Sequence, residues 1–142
     1  MSSPSQGQLL YALVIKSDIQ SNQISVHNAM ITLYSRCGKV VEAKMLFGRM
    51  IERNTVSYNS IIGGLVQHGH AVEALKLFND MNISAHEPTG ITFISVLSAC
   101  AHTRKVDEGW DYFNSMKQKY GIEPCEEHYS CMIYLLARAR KF

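Results

Sequence analysis

The 142-residue chain has little net charge, few prolines and one tryptophan. Its formal net charge is +2, from 14 Lys+Arg against 12 Asp+Glu. So slight an excess excludes a polybasic tail that holds nucleic acid by charge alone, and an anionic ligand would have to meet a local patch. Three prolines and nine glycines exclude a collagen-like or linker composition. No apolar run approaches the ~20 residues that span a bilayer, so no membrane partner is expected. The apolar stretch 9–15 is short and lacks the flanks of a signal peptide. The opening MSSPS has the serine of an organelle transit peptide without its arginine. Either the chain carries no presequence or it is a piece of a longer protein.

Chemistry-bearing motifs are also missing. There is no G-x-x-x-x-G-K-[ST] phosphate loop and no G-x-S-x-G elbow. No catalytic residue, metal or other cofactor is expected. The four cysteines, Cys37, Cys100, Cys125 and Cys131, form no C-x-x-C pair and lack the density of a stapled secreted fold. Cys37 and Cys100 fall in helical blocks and are expected to pack inside. Cys125, His128 and Cys131 could approach one metal, but no fourth ligand is evident. His68 and His70 flank Gly69 at an expected surface turn.

What is present is a core-forming composition, 46% hydrophobic against 18% charged, arranged as a repeat. KVVEAKMLFGRM (39–50), HAVEALKLFNDM (70–81) and KVDEGWDYFNSM (105–116) align, with Glu42, Glu73 and Glu108 in one column. Phe47, Phe78 and Phe113 form a second column, and Met50, Met81 and Met116 a third. The offsets are 31 and then 35 residues. A preceding block recurs as VHNAMITLYSRCG, VSYNSIIGGLVQHG and ITFISVLSACAHTR, with Asn28, Asn59 and Ile94 in register. A fourth copy begins at EHYSCMIYLLARA, where Ser130 falls 36 residues after Ile94.

Each block spaces its apolar residues at i, i+3 and i+4, the stripe of an amphipathic helix. Gly38 and Gly69 can close the first helix of a unit, and Pro88 and Pro124 can stop the chain between units. Ala43, Ala74 and Gly109 put a small residue in each second helix, where helices would approach closely. The expected fold is all-α: a right-handed α-solenoid of antiparallel helix pairs. Its expected divisions are a second-helix remnant (1–23, helix near 8–17), units 24–54, 55–89 and 90–125, and a first helix alone (126–142). Both terminal helices would expose an apolar face, which suggests self-association.

Two helices per ~35 residues suit two repeat families, and the early Trp and Leu-Gly of the tetratricopeptide pattern are absent. VSYNSIIGGLVQHGHAVEALKLFNDM followed by EPT closely resembles the pentatricopeptide repeat, as do VHNAMITLYSRCGKVVEAKMLFGRM and EHYSCMIYLLARA. The unequal periods resemble the plant organellar PLS-type subfamily, with 24–54 short, 55–89 standard and 90–125 long. GIEPCEEHYSCMI resembles the passage before the C-terminal extension of editing-type members.

The resemblance implies sequence-specific binding of single-stranded organellar RNA in a mitochondrion or chloroplast. It implies a role in C-to-U editing or other RNA processing, with the transcript positioned for a separate enzyme and editing or processing factors as partners. It places base reading at the fifth and last residues of a unit: Asn28 with Asn54, and Asn59 with Thr89, both leaning to pyrimidines. It places base stacking at the second residues, Val56 and Ile91, which could instead be ordinary core. Ile94 with Cys125 offers no useful hydrogen bond and reads as a spacer; Glu127 is a poor stacking residue. Lys39, Lys76, Lys105 and Lys117 could contact phosphate or be solvated charges. At roughly 1–3 kcal/mol per base, two or three bases fall short of the ~12 kcal/mol of nanomolar binding, so this chain alone is expected to bind RNA weakly. The competing expectation is a helical scaffold that holds a partner polypeptide.

Overall fold

A computed structural model describes residues 24–140. These form seven helices and no strand: α1 (Ile24–Arg36), α2 (Val40–Arg49), α3 (Thr55–Gln67), α4 (Ala71–Ile83), α5 (Gly90–Thr103), α6 (Val106–Gln118) and α7 (Glu126–Ala139). The helix expected near 8–17 lies outside the described residues, as does the end of the last unit.

Successive helices pair antiparallel because the turns between them are short. Gly38 (φ 76°) and Gly69 (φ 83°) turn α1 into α2 and α3 into α4, in the left-handed conformation that glycine adopts without a Cβ penalty. The third pair has no glycine there: Arg104 takes the same conformation (φ 56°, ψ 34°). The prolines do not end the second helices. α4 stops at Ile83 and α6 at Gln118, before Pro88 and Pro124. The reversals come from the left-handed residues Ala85 (φ 60°) and Gly121 (φ 65°). A left-handed residue closes a helix end directly, and the prolines follow in the connector.

The helices stack in two layers. First helices pack side by side, α1 on α3, α3 on α5 and α5 on α7. Each second helix packs on its own first helix and on the next one, whereas the backbones of the second helices stay apart from each other and touch only through side chains such as Phe78 and Tyr112, 5.6 Å between ring centroids. The first helices therefore form the closely packed inner layer and the second helices a splayed outer one, which curves the stack with the first helices on the concave side. Across the outer gap Lys44 reaches Glu73 at 2.6 Å. The hydrogen-bonded ammonium of Lys44 holds the Glu73 carboxyl below its ordinary 4.5.

The repeated landmarks do the packing. Phe47 on α2 meets Tyr58 on α3 at 5.1 Å between ring centroids, Phe78 meets Phe93 at 5.4 Å, and Phe113 meets Tyr129 at 5.5 Å. One aromatic pair thus fastens each second helix to the first helix of the following unit, at about 0.5–1.5 kcal/mol beyond the area it buries. Ile31, Ile62, Leu65, Leu97, Met81, Met116 and Leu135 are fully buried between the layers. Ala43 and Ala74 are sealed as well. At Gly109 a Cβ would stand 2.3 Å from Leu135 Cδ2, so the Leu135 side chain occupies the space that the missing side chain leaves between α6 and α7.

Cys100 is buried, and burial pushes its thiol up to about 12. Cys37 is exposed, contrary to the packing role expected of it, because α1 ends at Arg36 and leaves Cys37 in the turn. Among the described residues no helix is long and apolar enough to cross a membrane.

Candidate nucleic-acid interface

Asn28 and Asn59 are the fifth residues of α1 and α3, inside the helices and not at their caps. Asn54 and Thr89 are the N-caps of α3 and α5. The stacking of first helices brings each Asn against the cap that follows its own unit. Asn28 Nδ2 donates to Asn54 Oδ1 at 3.0 Å, and Asn59 Nδ2 donates to Thr89 Oγ1 at 3.3 Å. Two polar rungs result, in the same register on neighbouring units. Asn28 is 5% exposed, with its carboxamide nitrogen held by Asn54 Oδ1. Asn59 is half-buried, and Asn54 and Thr89 are exposed.

A third member of each rung was not singled out in the sequence. Ser57 Oγ accepts from the Asn54 backbone N–H at 3.1 Å and donates to Asn28 Oδ1 at 2.6 Å. Thr92 Oγ1 accepts from the Thr89 backbone N–H at 2.9 Å and donates to Asn59 Oδ1. Ser57 N–H completes the cap by donating to Asn54 Oδ1 at 3.0 Å. The only sequence signal for these residues is their place three positions after an N-cap, where a capping box takes a polar side chain.

Val56 and Ile91 stand at the second positions of α3 and α5, 55% and 65% exposed. That exposure removes the core reading and leaves an apolar side chain on the surface close to each cap in sequence. Inward from the rungs, a groove of about 440 Å³ runs across α1, α3 and α5, lined by small polar residues including Thr32, Asn59, Ser60, Gly63, Ser95 and Ser98. A larger hollow, about 910 Å³, lies between the α5–α6 turn and the end of α7 and contains none of the rung residues.

The third rung differs. Ile94 is half-buried and presents no polar group. His128 fills the place of Ser57 and Thr92: its Nδ1 accepts from the Cys125 N–H at 3.0 Å and its Nε2 donates to Gly90 O at 2.8 Å. Both ring nitrogens of His128 are thereby engaged. Cys131 turns instead toward Ser98 Oγ and Ile94 O, so Cys125, His128 and Cys131 do not converge. Lys76 and Lys117 project from second helices, Lys39 and Lys105 precede them, and Lys105 and Lys117 face Glu108 and Glu123 at 3.9 and 4.0 Å. His68 Nε2 donates to Ser35 O at 2.5 Å, tying a surface histidine to the preceding unit.

Comparison with known proteins adds the following. The family model described as the PPR repeat family matches residues 53–102, and that of the PPR repeat matches 25–55 and 91–120. A mitochondrial pentatricopeptide repeat-containing protein of Arabidopsis thaliana is 43% identical over 134 residues, 94% of this chain and 18% of the relative. A chloroplastic one from the same plant is 41% identical over 134 residues, 94% of this chain and 16% of the relative. The chain thus spans about a fifth of the length of the curated relatives it matches. Among solved structures, the pentatricopeptide repeat protein PPR10 in complex with an 18-nt psaJ RNA element superposes with a TM-score of 0.75 at 22% identity, over 95% of this chain and 21% of that one. PPR10 from maize gives 0.70 at 21% identity, over 92% of this chain and 20% of that one. These likenesses show the fold, the right-handed α-solenoid that the repeat spacing predicts.

Proposed function

The chain belongs to the pentatricopeptide repeat family, and from that premise we propose that it is a single-stranded RNA-reading segment of a plant organellar protein. In this reading the units are 24–54, 55–89 and 90–125, with 1–23 and 126–142 as parts of adjoining ones, and their unequal lengths assign them to the PLS-type subfamily. Asn28 with Asn54 reads one base and Asn59 with Thr89 the next; Val56 and Ile91 support the base faces. The observation that carries the reading is the pair of rungs in one register on neighbouring first helices, each with an exposed apolar residue close to its cap in sequence.

The chemistry favours pyrimidines. An Asn carboxamide offers both a donor and an acceptor, and a pyrimidine is small enough for one rung to span its edge. The third unit, with Ile94 and Cys125, acts as a spacer. The chain carries no chemistry of its own in this reading. It holds a transcript in a mitochondrion or chloroplast for an editing or other processing enzyme, and editing or processing factors are its protein partners. The mitochondrial and chloroplastic relatives support that location. The exposed Tyr129 and Ile133 on α7 offer a surface for self-association or for the neighbouring unit of a longer array.

The test is an NMR titration of the full chain with cytidine, uridine and adenosine tetraribonucleotides. We expect weak binding that favours the two pyrimidine oligomers and shifts the amides around Asn54 and Thr89. Asn59→Ala should weaken pyrimidine binding by about fivefold, one hydrogen bond's worth, while Val56→Ala weakens all three. Equal affinity for the three oligomers, or Asn59→Ala without effect, refutes the reading. A polypeptide partner captured through the groove with RNA binding unaltered would favour the scaffold.

A further inference from the structure

We propose that Ser57 and Thr92 are positioning residues of the two rungs: each hydroxyl fixes the carboxamide of the preceding unit's Asn in the one orientation that lets the rung read a base. The inference rests on the reading function above and adds to it residues that do not themselves face the RNA.

The geometry separates this role from ordinary capping. In a capping box the side chain of the third helical residue need only accept the N–H of the cap, while its own N–H goes to the cap side chain. Ser57 and Thr92 do so, and so does His128 in the third unit. Capping is therefore common to all three units. The hydroxyl proton is a different matter. In the first two units its shortest contact crosses to the neighbouring helix, to Asn28 Oδ1 and Asn59 Oδ1, 29 and 33 residues away, while the cap's own side-chain oxygens stand farther off, Asn54 Oδ1 at 3.1 Å and Thr89 Oγ1 at 3.4 Å. In the third unit the fifth residue is Ile94, which offers no acceptor. There His128 turns its second nitrogen to Gly90 O instead. The third residue after the cap thus crosses to the preceding first helix in all three units, to a backbone carbonyl in the third, but only where the fifth residue is Asn does it bond that residue's side chain.

The bond has a direct chemical consequence. The terminal torsion of Asn is broad and two-fold, so a free carboxamide exchanges its oxygen and nitrogen ends easily. A donor at Oδ1 breaks that symmetry. It holds the Asn28 amino group toward Asn54, whose own oxygen already accepts from Ser57 N–H and from Asn28 Nδ2. The Asn54 amino group is then the end that this exposed carboxamide can offer to a base. In the second rung the same lock holds the Asn59 amino group on Thr89 Oγ1. Because the Ser57 Oγ contact is buried, water cannot stand in for the missing donor without entering the rung.

The experiment uses the full chain with Ser57→Ala and Thr92→Val, and with the hydroxyl-retaining Ser57→Thr and Thr92→Ser. Two readouts are taken. The first, without RNA, is NMR relaxation of the side-chain amide groups of Asn28 and Asn59. The second is the ratio of adenosine to cytidine tetranucleotide dissociation constants. We expect Ser57→Ala to mobilise the Asn28 amide and Thr92→Val the Asn59 amide. We expect the ratio to fall toward unity by about fivefold, with Ser57→Thr and Thr92→Ser restoring both. Side-chain order unchanged in Ser57→Ala and Thr92→Val overturns the proposal. So does an equal weakening of both oligomers with the ratio intact, which is the signature of a cap alone. A wild-type chain that does not discriminate between the oligomers sinks the RNA reading, while the relaxation readout still decides whether the hydroxyls hold the carboxamides. In the third unit, Ile94→Asn with Cys125→Asn should gain pyrimidine preference only when His128→Ser is added; a gain with His128 retained also overturns the proposal.

Discussion

Adding one carbon at Gly64 should loosen the layer that carries both rungs. Gly64 lies on α3 against Ser35 on α1, where a Cβ would stand 2.3 Å from Ser35 Oγ and 2.7 Å from Ser35 Cβ. Ordinary contact begins at 3.4 Å, so in Gly64→Ala the helices must part by more than an ångström or the serine must leave its place. Ser35 is buried and its hydroxyl has no hydrogen-bond partner, which gives it nowhere favourable to turn. Overpacking costs about 1–3 kcal/mol; the two close contacts put this site in the upper part of that range, about 2–3 kcal/mol, and the better helix propensity of alanine offsets about 1 kcal/mol. The net loss should be about 1–2 kcal/mol, a fall in melting temperature of about 3–8 °C. Thermal and urea unfolding followed by circular dichroism measures it. Ser35→Gly in the same chain should recover most of the loss, with a coupling of about 1–2 kcal/mol in the double-mutant cycle. A Gly64→Ala chain as stable as the wild type, or two effects that simply add, would refute the reasoning. The same substitution should alter the amide resonances of Asn28 and Asn59, because their helices are the ones forced apart.

Two further substitutions or treatments report on other parts of the stack. Arg104 closes α5 in the left-handed conformation, which costs a non-glycine residue about 1–2 kcal/mol; Arg104→Gly should gain about 0.5–1 kcal/mol in urea unfolding once the greater freedom of the unfolded glycine is offset, and a loss of stability would contradict the strain assigned to it. With burial pushing the Cys100 thiol to about 12, alkylation at pH 8 should label Cys37 and Cys125 and spare Cys100 until denaturant is added; Cys100 reacting as fast as Cys37 would show that the α5 core opens.

The repeat made much of this molecule legible before any coordinates. The columns of Phe47, Phe78 and Phe113 and of Met50, Met81 and Met116 mark the seams between layers, since a residue in the same seam of every unit meets the same environment. Asn28 and Asn59 could be singled out because they recur in register. What escaped was whatever depends on a partner far along the chain. Ser57 and Thr92 read locally as ordinary cap residues, and only folding reveals that their protons go to Asn28 and Asn59. Cys37 looked interior because its block is helical, but one residue decides whether a helix end is buried or turns outward. Arg104 carried no sign of its left-handed backbone, since the usual marker of that conformation is glycine. The prolines drew attention away from Ala85 and Gly121, which reverse the chain first.

The gaps between the outer helices determine how this coil responds to load. Its stiffness resides on the inner side, where side chains interlock; on the outer side Phe78 and Tyr112 link α4 to α6 by one ring contact, and between α2 and α4 Lys44 and Glu73 form an exposed strut, of the kind that contributes at most about 1 kcal/mol and weakens with salt. Such a body behaves as a spring with one soft face. Its pitch can lengthen or shorten by small hinge motions spread over every unit, without tearing any seam. A strand laid along the stiff face can then draw the coil to its own spacing, and ionic strength becomes a control on that compliance.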